Sequence, residues 1–350
     1  MSTQRLRVVL TNDDGPPGHD SPYIYGLYRH LTRDLGWDVK VVIPSSQKSW
    51  IGKAYQITDI IHGRYYYPRD PVAADSGRCA DGSGEISDES RPLKEGEVAE
   101  WVLLDGTPAT CANIALHNLY PGEVGLLISG PNLGRNSSAA FALSSGTIGA
   151  ALSSSLSKVR SIAVSYATIT KPIPTSWFDP AHSLASRIIR HLWDNWGADD
   201  YSIRNSEIDL YSINVPMLES LLGPADIPIY WTRMWRNSYG RLFTEHVISK
   251  PVTSPAGPDS LDTNEQGIIP NSGSNGAQKN LVFKFSPDMG QLINPRPTDL
   301  PIGSDGWAIR NGWVSVTPMR AAFAEPPHEI GMTPLTEEEL EQKALWKVKL

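Results

Sequence analysis

Residues 5–43 alternate in a way that few architectures accept. The run 5–10, RLRVVL, is short, rich in β-branched residues and without helical period, the pattern of a strand buried on both faces. A turn-rich loop follows over 11–20. Ser21 then reads as an N-cap and Pro22 as a first-turn proline, with Ile24, Leu27, Tyr28, Leu31 and Leu35 on one helical face and Gly36 as the stop. A second strand spans 38–43 and ends at Pro44. Strand, helix and parallel strand in this order require a right-handed crossover, and therefore an open parallel sheet covered by helices.

The alternation is interrupted and then resumes. Residues 55–67 hold one or two strands, and 70–97 is rich in Gly, Ser, Pro, Asp and Glu, an acidic surface loop or partly disordered insertion. A strand over 101–104, a helix over 107–119, a strand over 124–128, a Gly/Asn loop and a helix over 147–156 come next. They are followed by a strand over 161–164, a helix over 181–196 and a strand over 210–215. The expected fold is α/β: a doubly wound, mainly parallel sheet in a three-layer α/β/α core over 1–216. Short β-like runs at 227–233, 283–285 and 312–316 predict a β-rich C-terminal region over 217–332, with a flexible loop over 252–280. Thr336 followed by Glu339 starts a terminal helix over 333–350.

Composition narrows the partners. The formal net charge is −7, which argues against nucleic acid and anionic membrane, since both reward dense basic patches. Only Cys79 and Cys111 are present, so no disulfide framework is implied and a reducing compartment is expected. No stretch approaches the roughly 20 apolar residues of a membrane span, and the N-terminus lacks an apolar signal core. A cytoplasmic enzyme or binding protein is the expectation.

Four loops carry candidate chemistry. Asp13 and Asp14 follow directly on the first strand, where an open parallel sheet forms its ligand crevice. Gly15 and the prolines after it break the strand, letting both carboxylates turn toward the sheet edge. Adjacent like charges call for a cation, and hard oxygen ligands suit Mg²⁺ or Mn²⁺. Alone, the dipeptide favours an ordinary Asx-type turn. The segment 129–136, SGPNLGRN, offers small residues for close approach and the Asn132 amide oxygen as a hard ligand. Ser145, Gly146 and Thr147 open a helix whose free N–H groups suit a phosphate, although many helices carry such a cap without a ligand. The loop 44–53 supplies Ser49 as a ligand and Lys48 and Lys53 as phosphate contacts, unremarkable residues in isolation. His19 is a candidate acid for a leaving group, with a solvent-exposed loop histidine as the plainer account. Cys111 sits beside Ala112 and Ala115 as a small core residue.

Taken in order, these segments resemble the SurE (survival protein E) family of metal-dependent phosphatases and nucleotidases. The carriers are VVLTNDDG at 8–15, VIP at 42–44 with Ser49, DGTPATC at 105–111, SGPNLGRN at 129–136 and SGT at 145–147. Shorter markers are NVP at 214–216, Thr232-Arg233 with Tyr239-Gly240, and VSVTP at 314–318. The resemblance implies a Rossmann-like core and one divalent cation per subunit, Mg²⁺ or Mn²⁺, held by Asp13, Asp14, Ser49 and Asn132. It implies phosphate bound by Asn136, Ser145, Gly146 and Thr147, with Asp13 and Asp14 as catalytic residues. It also implies hydrolysis of a small phosphate monoester such as a nucleoside 5′- or 3′-monophosphate, by a homodimer or homotetramer. The insertions at 70–97 and 252–280 resemble those of fungal members with acid phosphatase labels. Competing expectations are a non-catalytic nucleotide- or metal-binding module and a nucleotide-sugar transferase.

Overall fold

A computed structural model describes residues 5–70, 83–169, 172–246, 281–287, 290–293 and 295–323. The N-terminal unit follows the expected order. Strand β1 (Arg7–Thr11) leads to helix α1 (Ile24–Arg29), which widens into a π-helical turn over His30–Asp34 before β2 (Asp38–Pro44). Helix α1 begins two residues later than Ser21 predicts, with Tyr23 at the cap. Ser21 is instead occupied in the preceding loop, where its hydroxyl donates to the Gly15 carbonyl at 2.8 Å.

Strands β3 (Gly63–Pro68) and β4 (Gly84–Ser87) form an antiparallel pair next to β5 (Trp101–Leu104). Part of the acidic insertion is therefore ordered strand rather than loop. Asp70 at its start is tied by Tyr25 and Arg33, and Glu97 at its end is buried against Arg91. Residues 71–82, 252–280 and 333–350 of the expected loops and terminal helix lie outside the described residues.

Helix α2 (Pro108–Ile114) is capped by the Thr107 hydroxyl and continues as a π-helical turn over Ala115–Leu119. Next comes β6 (Leu126–Leu133), longer than the expected strand because it runs through the Gly/Asn segment with a register shift between Ser129 and Asn132. A short helix α3 (Ala139–Ser144), absent from the sequence reading, abuts α4 (Gly146–Leu156). Then follow β7 (Arg160–Thr168), α5 (Phe178–Asp194), β8 (Leu210–Met217), β9 (Ile229–Trp231), β10 (Phe243–Glu245) and β11 (Phe283–Phe285). The last described elements are α6 (Gly290–Ile293), α7 (Asp305–Arg310) and β12 (Val314–Met319).

Ten strands form one sheet in the order β4-β3-β5-β2-β1-β6-β7-β8-β12-β9. From β5 to β8 every neighbouring pair is parallel, and β12 closes antiparallel against β8. Strands β12 and β9 thus extend the main sheet, while β10 and β11 pair separately. Because strand side chains alternate, Val8 and Leu10 face one helical layer and Val9 the other. The first layer packs them against Ile24, Leu27 and Leu31 of the first helix and Ala181, Leu184, Ile188 and Leu192 of α5. The second sets Val9, Val42 and Leu127 against Cys111, Ala112, Ala115 and Ala150, small residues that let the helices approach closely. This is the Rossmann-like, three-layer α/β fold. The chain passes from β1 to β2 on one side and later returns to β6 on the other, so β1 and β6 flank the switch point where such sheets bind ligands.

Candidate active site

The acidic turn sits at that switch point. Asn12 makes the turn by accepting the Gly15 N–H at 3.1 Å and donating to the Gly15 carbonyl at 2.8 Å, an Asx-type arrangement. Gly15 has φ +84°, a backbone region that an L side chain rarely adopts. An Asx turn and a ligand site are therefore compatible: the turn of Asn12 and Gly15 sets where Asp13 and Asp14 lie.

Both carboxylates are buried, with Asp13 3% and Asp14 4% exposed. Asp13 Oδ1 accepts the Thr147 hydroxyl at 2.6 Å, and the backbone N–H groups of Gly146 and Thr147 also favour its charged form. Asp14 Oδ2 accepts the Leu133 N–H at 2.8 Å, a bond that crosses from β1 to the end of β6. Burial nevertheless dominates and raises both acids. Asp14 is pushed up to about 8 by burial and then by the charge of Asp13. Among the described residues, no Lys, Arg or His forms an ion pair with either carboxylate.

The other predicted residues lie in the surrounding loops, at different depths. The Lys48 N–H donates to the Asp13 carbonyl at 2.7 Å, which anchors the loop carrying Ser49; the Ser49 side chain is exposed. Asn132 is half-buried on β6 beside Leu133, its amide donating to the Gly134 carbonyl at 3.0 Å. Asn136 is buried, and its amide donates to Ser165 Oγ at 2.8 Å while its backbone N–H donates to Asn214 Oδ1 at 2.8 Å. Ser145 caps α4, accepting the Ile148 N–H at 3.1 Å. Gly146 is held close to the acid: a Cβ there would come 2.7 Å from Asp13 Cβ. His19 points away, its side chain fully exposed and bonded to Asp20. Cys111 is buried and its thiol is driven up by burial, as a core residue requires.

Contacts that the sequence does not announce are the Leu133 and Lys48 amides and the Gln47 side chain, which favours the ionised form of Asp14. For Leu133 no signal was available, because β6 runs on through residues that read as loop and the contact is made by the backbone. Gln47 carried none.

These residues fit a hard divalent cation. Two carboxylates, a hydroxyl and a carboxamide oxygen are the donors that Mg²⁺ or Mn²⁺ prefers, with water and substrate completing the shell. Among the described residues no group of three or more His, Cys, Asp and Glu side chains is assembled, so Asp13 and Asp14 would be the only charged ligands. The buried hydroxyls of Thr11 and Ser129, paired across β1 and β6, have no hydrogen-bond partner at these same strand ends. Two buried acids without a cationic partner among the described residues, close in sequence to the unpartnered Thr11 hydroxyl, are costly to ionise without a ligand.

Comparison with known proteins identifies the family. The model of the family described as Survival protein SurE matches residues 8–241. The chain is 32% identical over 347 residues to a Saccharomyces cerevisiae protein named probable tubulin–tyrosine ligase PBY1, covering 95% of this chain and 43% of that one. The chain thus spans under half the length of this relative. It is 28% identical over 318 residues to the 5′-nucleotidase SurE of Acinetobacter baylyi, covering 90% of this chain and 93% of that one. The crystal structure of the SurE protein from Aquifex aeolicus superposes with a TM-score of 0.56 at 19% identity, covering 93% of this chain and 98% of the other. At that identity the likeness shows the fold alone.

Proposed function

The chain belongs to the survival protein SurE family, and from that premise we propose that it is a divalent-metal-dependent phosphomonoesterase acting on nucleoside monophosphates. The observation that carries the reading is the pair Asp13 and Asp14, buried side by side at the switch point with no cationic partner among the described residues. Relatives named 5′-nucleotidase point to the 5′-monophosphate, with 3′-nucleotidase and acid phosphatase activity as the neighbouring specificities to test.

Asp13, Asp14, Ser49 and Asn132 would hold the ion. When bound, a divalent cation supplies Lewis-acid stabilisation of charge on the phosphoryl group. The remaining work falls to the chain. Asn136, Ser145, Gly146 and Thr147 are proposed to hold the phosphate at the first turn of α4, where N–H groups and the helix dipole favour an anion. Thr147 and the Gly146 and Thr147 amides also fix Asp13, so one helix end sets both the acid and the phosphate. Burial of the acids keeps water from screening these interactions, and catalysis is chiefly positioning plus electrostatics. A homodimer or homotetramer in the cytoplasm completes the reading; among the described residues no helix is long and apolar enough to cross a membrane.

A panel of 5′- and 3′-nucleotides, p-nitrophenyl phosphate, sugar phosphates and polyphosphate, run with Mg²⁺ or Mn²⁺ across pH, tests this assignment. Phosphate release that EDTA stops is expected. Metal binding with no release from any substrate would instead make the chain a binding module.

A further inference from the structure

Aromatic rings from three parts of the chain meet next to the acidic turn. Trp50 follows Ser49 in the loop after β2, Phe141 lies on α3, and Tyr239 and Phe285 come from the C-terminal part. Ring centroids are 5.3 Å apart for Trp50 and Phe285, 6.0 Å for Trp50 and Tyr239, and 6.1 Å for Trp50 and Phe141. Phe243 adds a fifth ring, 5.5 Å from Phe285.

Hydrogen bonds fix this cluster to the site. Lys48, two residues before Trp50, donates its N–H to the Asp13 carbonyl at 2.7 Å. Gly52, two residues after it, donates to the Ser144 carbonyl at 2.9 Å. Two residues of chain reach at most about 7 Å, so Trp50 cannot lie far from either anchor. On the other side Tyr239 shares a hydrogen bond with the Ser144 hydroxyl, one residue before the Ser145 cap of α4.

Trp50 packs with Phe141 against a small cluster that includes Ala140 and Leu292, but the cluster leaves two of the rings open to solvent. Phe141 is buried, but Tyr239 is 40% and Phe285 42% exposed. Trp50 itself holds φ +62°, the left-handed region that a bulky residue adopts at a cost, and such strain collects at binding sites. Exposed aromatic residues tied to the start of α4, where the phosphate is proposed to sit, match a ligand that is charged at one end and flat and aromatic at the other. A sugar phosphate would leave the exposed parts of Tyr239 and Phe285 uncovered.

We propose that Trp50, Tyr239 and Phe285, backed by Phe141, form the subsite that stacks the nucleobase and sets the preference for nucleotides over base-free phosphate esters. This rests on the phosphomonoesterase reading above and adds the residues that select the substrate class. Stacking on aromatic rings tolerates any base, so the subsite separates base from no base more sharply than purine from pyrimidine.

The test uses the full chain with Mg²⁺ and its Trp50→Ala, Trp50→Phe and Phe285→Ala variants. KM is measured for adenosine 5′-monophosphate and for ribose 5-phosphate. The ratio of the two KM values should rise about tenfold in each alanine variant and return most of the way in Trp50→Phe. Two alanine sites on separate segments keep the test open should one variant fold poorly. A ratio within about twofold of the wild type in both overturns the proposal. Adenosine, which has no phosphate, gives a readout free of turnover: it should quench fluorescence that wild type has and Trp50→Phe lacks. No such quench overturns the subsite. If adenosine quenches Trp50 while no phosphomonoester is hydrolysed, the enzymatic assignment fails and the subsite stands.

Discussion

The Thr147 hydroxyl donates a 2.6 Å hydrogen bond to Asp13 Oδ1, joining the first turn of α4 to the acidic turn at the end of β1. A carboxylate so held presents its second oxygen in a fixed direction. Thr147→Val keeps the shape and removes the donor. Partners of metal ligands are worth about 10–100-fold in metal affinity or activity, and a loss in that range is expected. Thr147→Ser should restore most of it. Metal titration and steady-state kinetics on the three proteins decide the matter; equal affinities would remove Thr147 from the site.

Gly146 makes the same contact by having no side chain. An added Cβ would lie 2.7 Å from Asp13 Cβ and 3.0 Å from Asp13 Oδ2. Alanine is otherwise the better helix former, so on propensity alone Gly146→Ala would stabilise α4. The expected outcome is split: kcat/KM falls by at least about tenfold while the thermal midpoint moves little, because Asp13 is displaced rather than the helix. Retained activity would show that Asp13 has room to shift without consequence.

Much of this architecture was legible in the residues, and the gaps have physical causes. The run VLTND with Gly15 announces a buried strand ending in a turn, and both are found. The segment 129–136 reads as loop because Gly130, Pro131 and Asn132 are poor strand residues. It pairs with β7 nonetheless, at a register shift where Gly130 adopts φ +117° and a Cβ would meet the Val164 carbonyl at 2.1 Å. Tertiary pairing overrode local preference there. Ser21 shows the opposite failure: a good capping residue was taken by the Gly15 carbonyl and by Asn12, so α1 starts at Ile24, with Tyr23 at the cap position and no side-chain cap. The candidate ligands were visible as chemistry, but the amide of Leu133 that orients Asp14 has no side-chain signature. The aromatic cluster depends on contacts across almost 240 residues of sequence, between Trp50 and Phe285, which no local pattern encodes.

Asp14 gives a pH dependence with a definite sign. Its folded value is raised from 3.8 to about 8 by burial and by Asp13, so the protonated form is favoured in the metal-free protein. That contribution to stability is complete below the ordinary carboxylate range and is lost as pH rises through about 8. A cation must displace the proton, so Mg²⁺ or Mn²⁺ affinity should climb with pH up to about 8, by about tenfold per unit for each proton displaced. Calorimetric titration at pH 7 in buffers of different ionisation enthalpy should show at least about one proton released per ion. Binding with no proton release would contradict the placement of the ion on Asp14.

His182 predicts the opposite slope in overall stability. It is buried on α5, shares a 2.8 Å hydrogen bond with the Tyr166 hydroxyl and fills the space left by Gly26. Burial first, then the charges of His30 and Arg29, depress it from 6.5 to about 3. A depressed value contributes stability above pH 6.5 that is lost as pH falls toward 3. Between pH 6.5 and 4.5 the loss should be roughly 2–3 kcal/mol, seen as a lower urea midpoint. His182→Gln, neutral at every pH, should flatten that limb; an unchanged acid slope would place the titrating group elsewhere.

The central claim is that Asp13 and Asp14 hold a cation that acts on a phosphate ester. The most direct measurement is inorganic phosphate released from adenosine 5′-monophosphate by wild type and Asp13→Asn, each with Mg²⁺ or Mn²⁺ and again after EDTA. The buried site is expected to accept the neutral amide without loss of stability, since burial already disfavours the charge of Asp13. Turnover should appear only in wild type with metal, while Asp13→Asn keeps its thermal midpoint and loses at least about 100-fold in kcat/KM. Full turnover by Asp13→Asn, or by wild type after EDTA, would contradict the account.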